Sequence, residues 1–222
     1  MSAPIVPDRV GVDDGDPQEH LAPESASSSE QQPRRQRQSG RGGGGRPRRG
    51  PANIVLVGLS GSGKSTVARL LARRLGWRCI DTDQLIQRDA GMTVQEIFRV
   101  QGEPAFRTLE AETVADVCRR SRQVIATGGG AMVADANRAQ LLAGNLVFYL
   151  ESSPETLASR LSRNLSREPR PLLEDPDLVG RLAELGRQRE HQYRCAHHIV
   201  HTDHRTPREV VDVIAALVRA RP

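Results

Sequence analysis

The stretch Asn53-Ile-Val-Leu-Val-Gly-Leu-Ser-Gly-Ser-Gly-Lys-Ser-Thr66 decides the fold. Asn53 to Val57 is a short apolar, β-branched run, which reads as a buried strand. Ser65 to Leu75 repeats apolar residues at helical spacing and stops at Gly76. Between them, Gly58 to Ser65 fits the pattern G-x-x-x-x-G-K-[ST]. The strand before it and the helix after it turn that string into a structural expectation. Phosphates bring charge that has to be met without bulk. Glycines let backbone N–H groups approach closely, and a helix N-terminus adds a partial positive charge. Lys64 then bridges the β- and γ-phosphates as a point charge, and the Ser65 hydroxyl is placed to ligate Mg²⁺. Gly61, Ser62, Gly63, Lys64, Ser65 and Thr66 are the candidate ATP-binding residues. The motif implies a nucleoside triphosphate and magnesium. It leaves the phosphate acceptor open, because motors, switches and metabolite kinases share it.

Outward from this stretch, strands and helices alternate. Strands are expected at Arg78 to Ile80, Gln123 to Ala126, Leu146 to Leu150 and His198 to His201. Helices are expected at Thr93 to Arg99, Pro104 to Arg120, Pro154 to Arg163, Asp177 to Arg194 and Arg208 to Arg219. Asn164 to Asp175, with several charges and two prolines, reads as a mobile loop. The alternation argues for an α/β fold, a parallel sheet covered by helices on both faces.

Charge and composition divide the chain in two. Residues 1–32 hold seven acids and one arginine, and residues 33–50 hold seven arginines and no acid. Residues 1–50 nearly lack large apolar side chains, so they cannot bury enough surface to offset ordering entropy, and they read as a disordered extension. Arg/Gly segments such as Arg41 to Arg46 can contact RNA or other polyanions. Residues 51–222 form the folded domain and carry twenty-four basic against twenty acidic residues, a modest excess suited to anionic ligands. Of thirty-two basic residues only Lys64 is a lysine, and it sits inside the phosphate motif. Cys79, Cys118 and Cys195 are odd in number and far apart, which fits neither a disulfide framework nor a zinc site. No apolar run reaches membrane-spanning length and no secretory signal opens the chain, so the expected location is the cytoplasm.

The acceptor side has its own marks. Asp81-Thr82-Asp83 closes the second strand, and two carboxylates at i, i+2 on a strand share a face. At the carboxyl end of a parallel sheet that face borders the ligand crevice. Gly128-Gly129-Gly130 ends the third strand, where three residues without side chains make room for a ligand. His197, His198, His201 and His204 cluster late in the chain and read as strand-end and loop residues rather than a metal site.

With Phe106-Arg107, Glu110, Arg170-Pro171-Leu172-Leu173 and Arg189-x-x-x-Tyr193, these motifs resemble the shikimate kinase family over nearly all of residues 53–222. The resemblance implies a P-loop kinase of the nucleoside monophosphate kinase group. It implies a five-stranded parallel sheet in the order 2-3-1-4-5, with a mobile lid, and a monomer. It also implies ATP-dependent phosphorylation of the 3-hydroxyl of shikimate, with Mg²⁺. By the same resemblance Asp83 would hold the ring hydroxyls and act as base. Arg107 and Arg189 would grip the carboxylate, and Gly128, Gly129 and Gly130 would line the pocket. Arg170 would reach the transferring phosphoryl group opposite Lys64, and Asp81 would hold Mg²⁺ through water beside Ser65. Arg163, with Arg160 and Arg167 as alternatives, and Asp203 to Pro207 would flank adenine. Two other readings compete. Gluconate kinase shares the phosphate motif but not the Asp-Thr-Asp, triple-glycine and paired-arginine combination. An RNA-associated nucleotide-binding protein would rest on the Arg/Gly extension, but the chain has only two tyrosines, three phenylalanines and one tryptophan for base stacking.

Overall fold

The computed structural model describes residues 51–163 and 176–220. The expected extension (1–50), the whole of the expected mobile loop (164–175), and Arg167 and Arg170 within it lie outside the described residues. Five strands, β1 (Ile54–Val57), β2 (Arg78–Asp81), β3 (Gln123–Ala126), β4 (Leu146–Glu151) and β5 (His198–His201), form one sheet. Its order is β2-β3-β1-β4-β5 and every pairing is parallel, as the resemblance implied.

The helices are α1 (Lys64–Leu75), α2 (Thr82–Ala90), α3 (Val94–Cys118), α4 (Asp135–Leu142), α5 (Pro154–Arg163), α6 (Leu178–Tyr193) and α7 (Pro207–Arg219). The two helices expected between Thr93 and Arg120 are present and meet at Gly102, whose φ of 83° and ψ of 168° are not helical; α3 comprises both. Thr93 opens it with a reciprocal capping box to Glu96, and Pro104 starts the second half, where a proline costs no hydrogen bond that the kink has not already broken. Helices α2 and α4 are not expected from the sequence. The first begins inside the Asp-Thr-Asp motif. The second has eight residues and only two buried positions, too few for a visible stripe.

Strand β1 shows why its sequence is apolar throughout. Val55 and Val57 face one core with Val114 and Val117 of α3, Leu157 of α5 and Leu182 of α6. Ile54 and Leu56 face the other, with Val67 and Leu71 of α1 and Val211 and Ile214 of α7. A central parallel strand is buried on both faces, so alternation vanishes. At its start, buried Asn53 ties three strands together. Its side-chain amide donates to Asn145 Oδ1 (3.0 Å) and Arg120 O (2.9 Å), and its oxygen accepts from Gln123 N (3.1 Å). These bonds remove the cost of burying the amide. The carboxyl ends of β1, β2 and β3 are left facing one crevice, where the motifs sit.

Candidate active site

The turn after β1 is built on glycine. Gly58 has φ 138° and Gly63, which caps α1, has φ 92°, backbone conformations that favour glycine. Lys64 is the first residue of α1 and is 8% exposed. Its ammonium bends back over the turn and donates to Gly58 O and Leu59 O, both at 2.8 Å. Ser65 Oγ donates to Asp81 Oδ2 at 2.6 Å. A hydroxyl and a carboxylate that already meet form an all-oxygen donor set, which fits the preference of Mg²⁺. Thr66 is exposed on α1.

Only Asp81 of the Asp-Thr-Asp motif lies on the strand, contrary to the expectation from its spacing that both carboxylates do. Strand β2 ends at Asp81, whose Oδ1 accepts from Gln84 N (3.3 Å) and caps α2. Thr82 and Asp83 are therefore helical, and the two carboxylates diverge because helical residues two apart do not share a face. Asp81 turns to Ser65. Asp83 turns to the glycine run, where a Cβ built on Gly128 would lie 2.5 Å from its Oδ1. Between them Thr82 is fully buried, and its hydroxyl accepts from Gly128 N at 3.0 Å.

Around that run the acceptor residues converge. A Cβ at Gly130 would lie 2.6 Å from Arg107 Nη1, and one at Gly129 would lie 3.7 Å from Arg189 Nη1, Gly58 O and Ser60 N. The middle glycine thus sits between the acceptor arginines and the phosphate turn. Arg107 is oriented by two carboxylates on its own helix, Glu103 (2.8 Å) and Glu110 (2.9 Å). Glu110 is 1% exposed, and burial raises its pKa against the lowering effect of Arg107 and Arg189. Its Oε1, which has no hydrogen-bond partner among the described residues, faces Gly128. Arg189 Nη1 donates to Gly129 O at 3.1 Å.

The far end of the sheet is tied together by Arg160 of α5. Its guanidinium donates to Ser152 Oγ (3.2 Å), Thr202 Oγ1 (2.9 Å) and Thr202 O (2.6 Å), joining the ends of β4 and β5. Asp203 accepts from Ser153 N at 3.0 Å, and Thr206 caps α7. Arg163 is exposed in the last turn of α5. Three of the four clustered histidines have partners in the fold. His197 Nδ1 accepts from Val147 N (3.1 Å), His198 stacks on Phe148 (5.2 Å) and His201 Nδ1 meets Glu151 at 2.6 Å. Among the described residues no group of three His, Cys, Asp or Glu side chains is arranged to hold a metal. All three cysteines are free.

Lys64, Ser65 and Asp81 thus form one cluster, and Asp83, Arg107, Arg189 and Gly128 to Gly130 a second beside it. The sequence alone assigns no role to Glu110 or Tyr193 and does not single out Thr82. An uncharged or paired side chain carries no pattern until its partner, 46 residues away for Thr82, is in place.

The family model for shikimate kinase matches residues 60–219, most of the chain and both clusters. The chain belongs to the shikimate kinase family. The shikimate kinase of Symbiobacterium thermophilum is 47% identical over 170 residues, covering 76% of this chain and 97% of that protein. That of Moorella thermoacetica is 42% identical over 170 residues, 77% and 96% of the two chains. Among solved structures, shikimate kinase from Acinetobacter baumannii in complex with shikimate superposes with a TM-score of 0.72 at 36% identity, covering 77% of this chain and 94% of that one. The sheet order and the P-loop are those of a shikimate kinase. Among the described residues no helix is long and apolar enough to cross a membrane.

Proposed function

We propose that this chain transfers the γ-phosphoryl group of ATP to the 3-hydroxyl of shikimate, giving shikimate 3-phosphate and ADP on the route to chorismate and the aromatic amino acids. One observation carries the reading: Arg107, Arg189 and Asp83 converge on Gly128 to Gly130 directly beside the phosphate turn. Two guanidiniums suit a carboxylate, since each pairs with it through parallel charge-assisted bonds. A carboxylate at the same glycine run suits a hydroxyl that must lose its proton.

In this reading Arg107 and Arg189 hold the acid, and Asp83 orients the ring hydroxyls. Asp83 takes the proton of the 3-hydroxyl as its oxygen bonds to the γ-phosphorus and the bond to ADP breaks. Phosphoryl transfer has a loose transition state, so catalysis is positioning plus positive charge. Lys64 exchanges the carbonyls of Gly58 and Leu59 for phosphate oxygens and supplies that charge, and by the family resemblance Arg170 would add to it. Gly61, Ser62, Gly63 and Thr66 complete the cradle. Ser65 directly and Asp81 through water would hold Mg²⁺, which neutralises phosphate charge when bound. Arg160 is committed to Thr202 and Ser152, so Arg163, exposed, or Arg167 would flank adenine with Asp203 to Pro207.

The domain comprises residues 51–222 and acts as a cytoplasmic monomer, with residues 1–50 an extension that catalysis does not need. ADP release from ATP and Mg²⁺ is measured with and without shikimate, with gluconate as control, for the full chain and for a chain lacking residues 1–50. The expected result is release that rises with shikimate alone and equally in both. A rise with gluconate, or with neither acid, contradicts the acceptor. A large loss on truncation contradicts the independence of the domain.

A further inference from the structure

The triple glycine has a mechanical problem that its sequence does not solve. Three successive residues without side chains have little rotational preference, and the turn bond from Ala131 N to Gly128 O (3.2 Å) that spans them does not involve the peptide between Gly129 and Gly130. A trans peptide unit is planar, with C=O and N–H pointing in opposite directions. Pinning the Gly129 carbonyl therefore aims the Gly130 N–H. Two donors from α6 reach that carbonyl, the Tyr193 hydroxyl and, one turn earlier, Arg189 Nη1 at 3.1 Å. The first peptide of the run is held separately, by Gly128 N donating to Thr82 Oγ1.

Tyr193 is itself held by packing. It is 1% exposed at the end of α6, packs in the larger core, and stacks on Tyr149 of β4 with ring centroids 4.9 Å apart. Burial pushes its phenol pKa up, so the hydroxyl keeps its proton and remains a donor. Its partner matters as much as its packing. Arg189 cannot serve a substrate acid fully while it is also the sole support of the Gly129 carbonyl, which is only partly open to water. A carbonyl with restricted access to water loses part of a hydrogen bond's worth when its donors leave. With Tyr193 on the same oxygen, Arg189 is released to the acid while Gly129 O stays satisfied.

We infer that Tyr193 is a positioning residue of the acceptor site: its hydroxyl locks the Gly129–Gly130 peptide and frees Arg189 for the carboxylate of the substrate. This rests on the shikimate reading above and adds a residue to which that reading gives no role. Phenylalanine preserves the packing and the stacking and removes only the donor.

The test is steady-state kinetics of Tyr193→Phe, with thermal unfolding alongside. The expected result is a rise of about tenfold in KM for shikimate, a hydrogen bond's worth, with KM for ATP changed less than about twofold. The unfolding midpoint should move by no more than about 3 °C, the scale of one kcal/mol in a chain this size. An unchanged KM for shikimate overturns the inference. So does an equal rise in both KM values with a large fall in the midpoint, which is a structural effect only. Wild-type enzyme with no shikimate-dependent turnover overturns the function itself, a distinguishable failure. Should Tyr193→Phe not fold, backbone NMR of wild-type enzyme without shikimate decides. Order parameters near 0.85 for the Gly129 and Gly130 amides are expected of a locked peptide, and values under about 0.6 contradict it.

Discussion

Two glycine clusters meet at the crevice, and they are glycine for different reasons. In the turn after β1, Gly58 has φ 138°, and a Cβ there would lie 2.6 Å from the backbone oxygen of Leu150. Neither the conformation nor the neighbour can yield cheaply. In the run after β3, no φ falls in the left-handed region. The atoms that a Cβ would strike there are side-chain tips, Asp83 Oδ1 at Gly128 and Arg107 Nη1 at Gly130. The first cluster therefore shapes the backbone. The second makes room for the groups that handle the acceptor. Glycine to alanine should damage folding at one and function at the other.

Four substitutions test that division. The largest effect is expected at Lys64→Ala, which removes the charge that the first cluster exists to present. Turnover should fall by about a thousandfold, the scale of losing one preorganised donor to a developing charge, while KM for ATP changes far less. Near-normal turnover would break the assignment of Lys64. Gly58→Ala should lower stability by roughly 3 kcal/mol through backbone strain and the Leu150 contact. Chemical denaturation measures it, and a loss under about 1 kcal/mol would mean that the turn relaxes freely. Gly130→Ala should do the reverse. It displaces Arg107 and raises KM for shikimate by about thirtyfold, the loss of about 2 kcal/mol of charge-assisted binding, with stability nearly unchanged. A stability loss as large as at Gly58 would erase the contrast.

The smallest effect concerns pH. Burial raises the pKa of Glu110 above its ordinary value of 4.5. The native state then holds this proton at pH values where the unfolded state has released it. Stability falls as pH rises from 4.5 through the raised value, and below 4.5 the group contributes nothing to the slope. Glu110→Gln should remove that slope, so wild type loses ground to the variant on going up in pH. Denaturation at several pH values checks it, and parallel curves would place Glu110 outside the linkage.

Much of the architecture is legible in the amino-acid sequence. The five strands appear within a residue or two of their expected bounds, and Pro154 opens α5 where a helix start is expected. Helices α2 and α4 escape, the first because Asp81, still paired in β2, caps it with its side chain. A carboxylate that can continue a strand or cap a helix is decided by whether Gln84 N is there to meet it. Arg160 is an alternative for adenine by sequence, and its bonds to Thr202, 42 residues away, commit it to the sheet.

The P-loop can be read from the chain alone because its physics is local. Strand, glycines, lysine and helix all fall between Ile54 and Leu75, and each constraint is a backbone preference or a contact within a few residues. The acceptor site cannot. The partners that give Asp83, Thr82 and Tyr193 their meaning lie in the glycine run after β3, far from them in the chain, with Tyr193 reaching a carbonyl 64 residues away. Sheet order and helix packing bring those groups within hydrogen-bond range. Burial then makes each bond obligatory, because a polar group removed from water must find its partner in the fold.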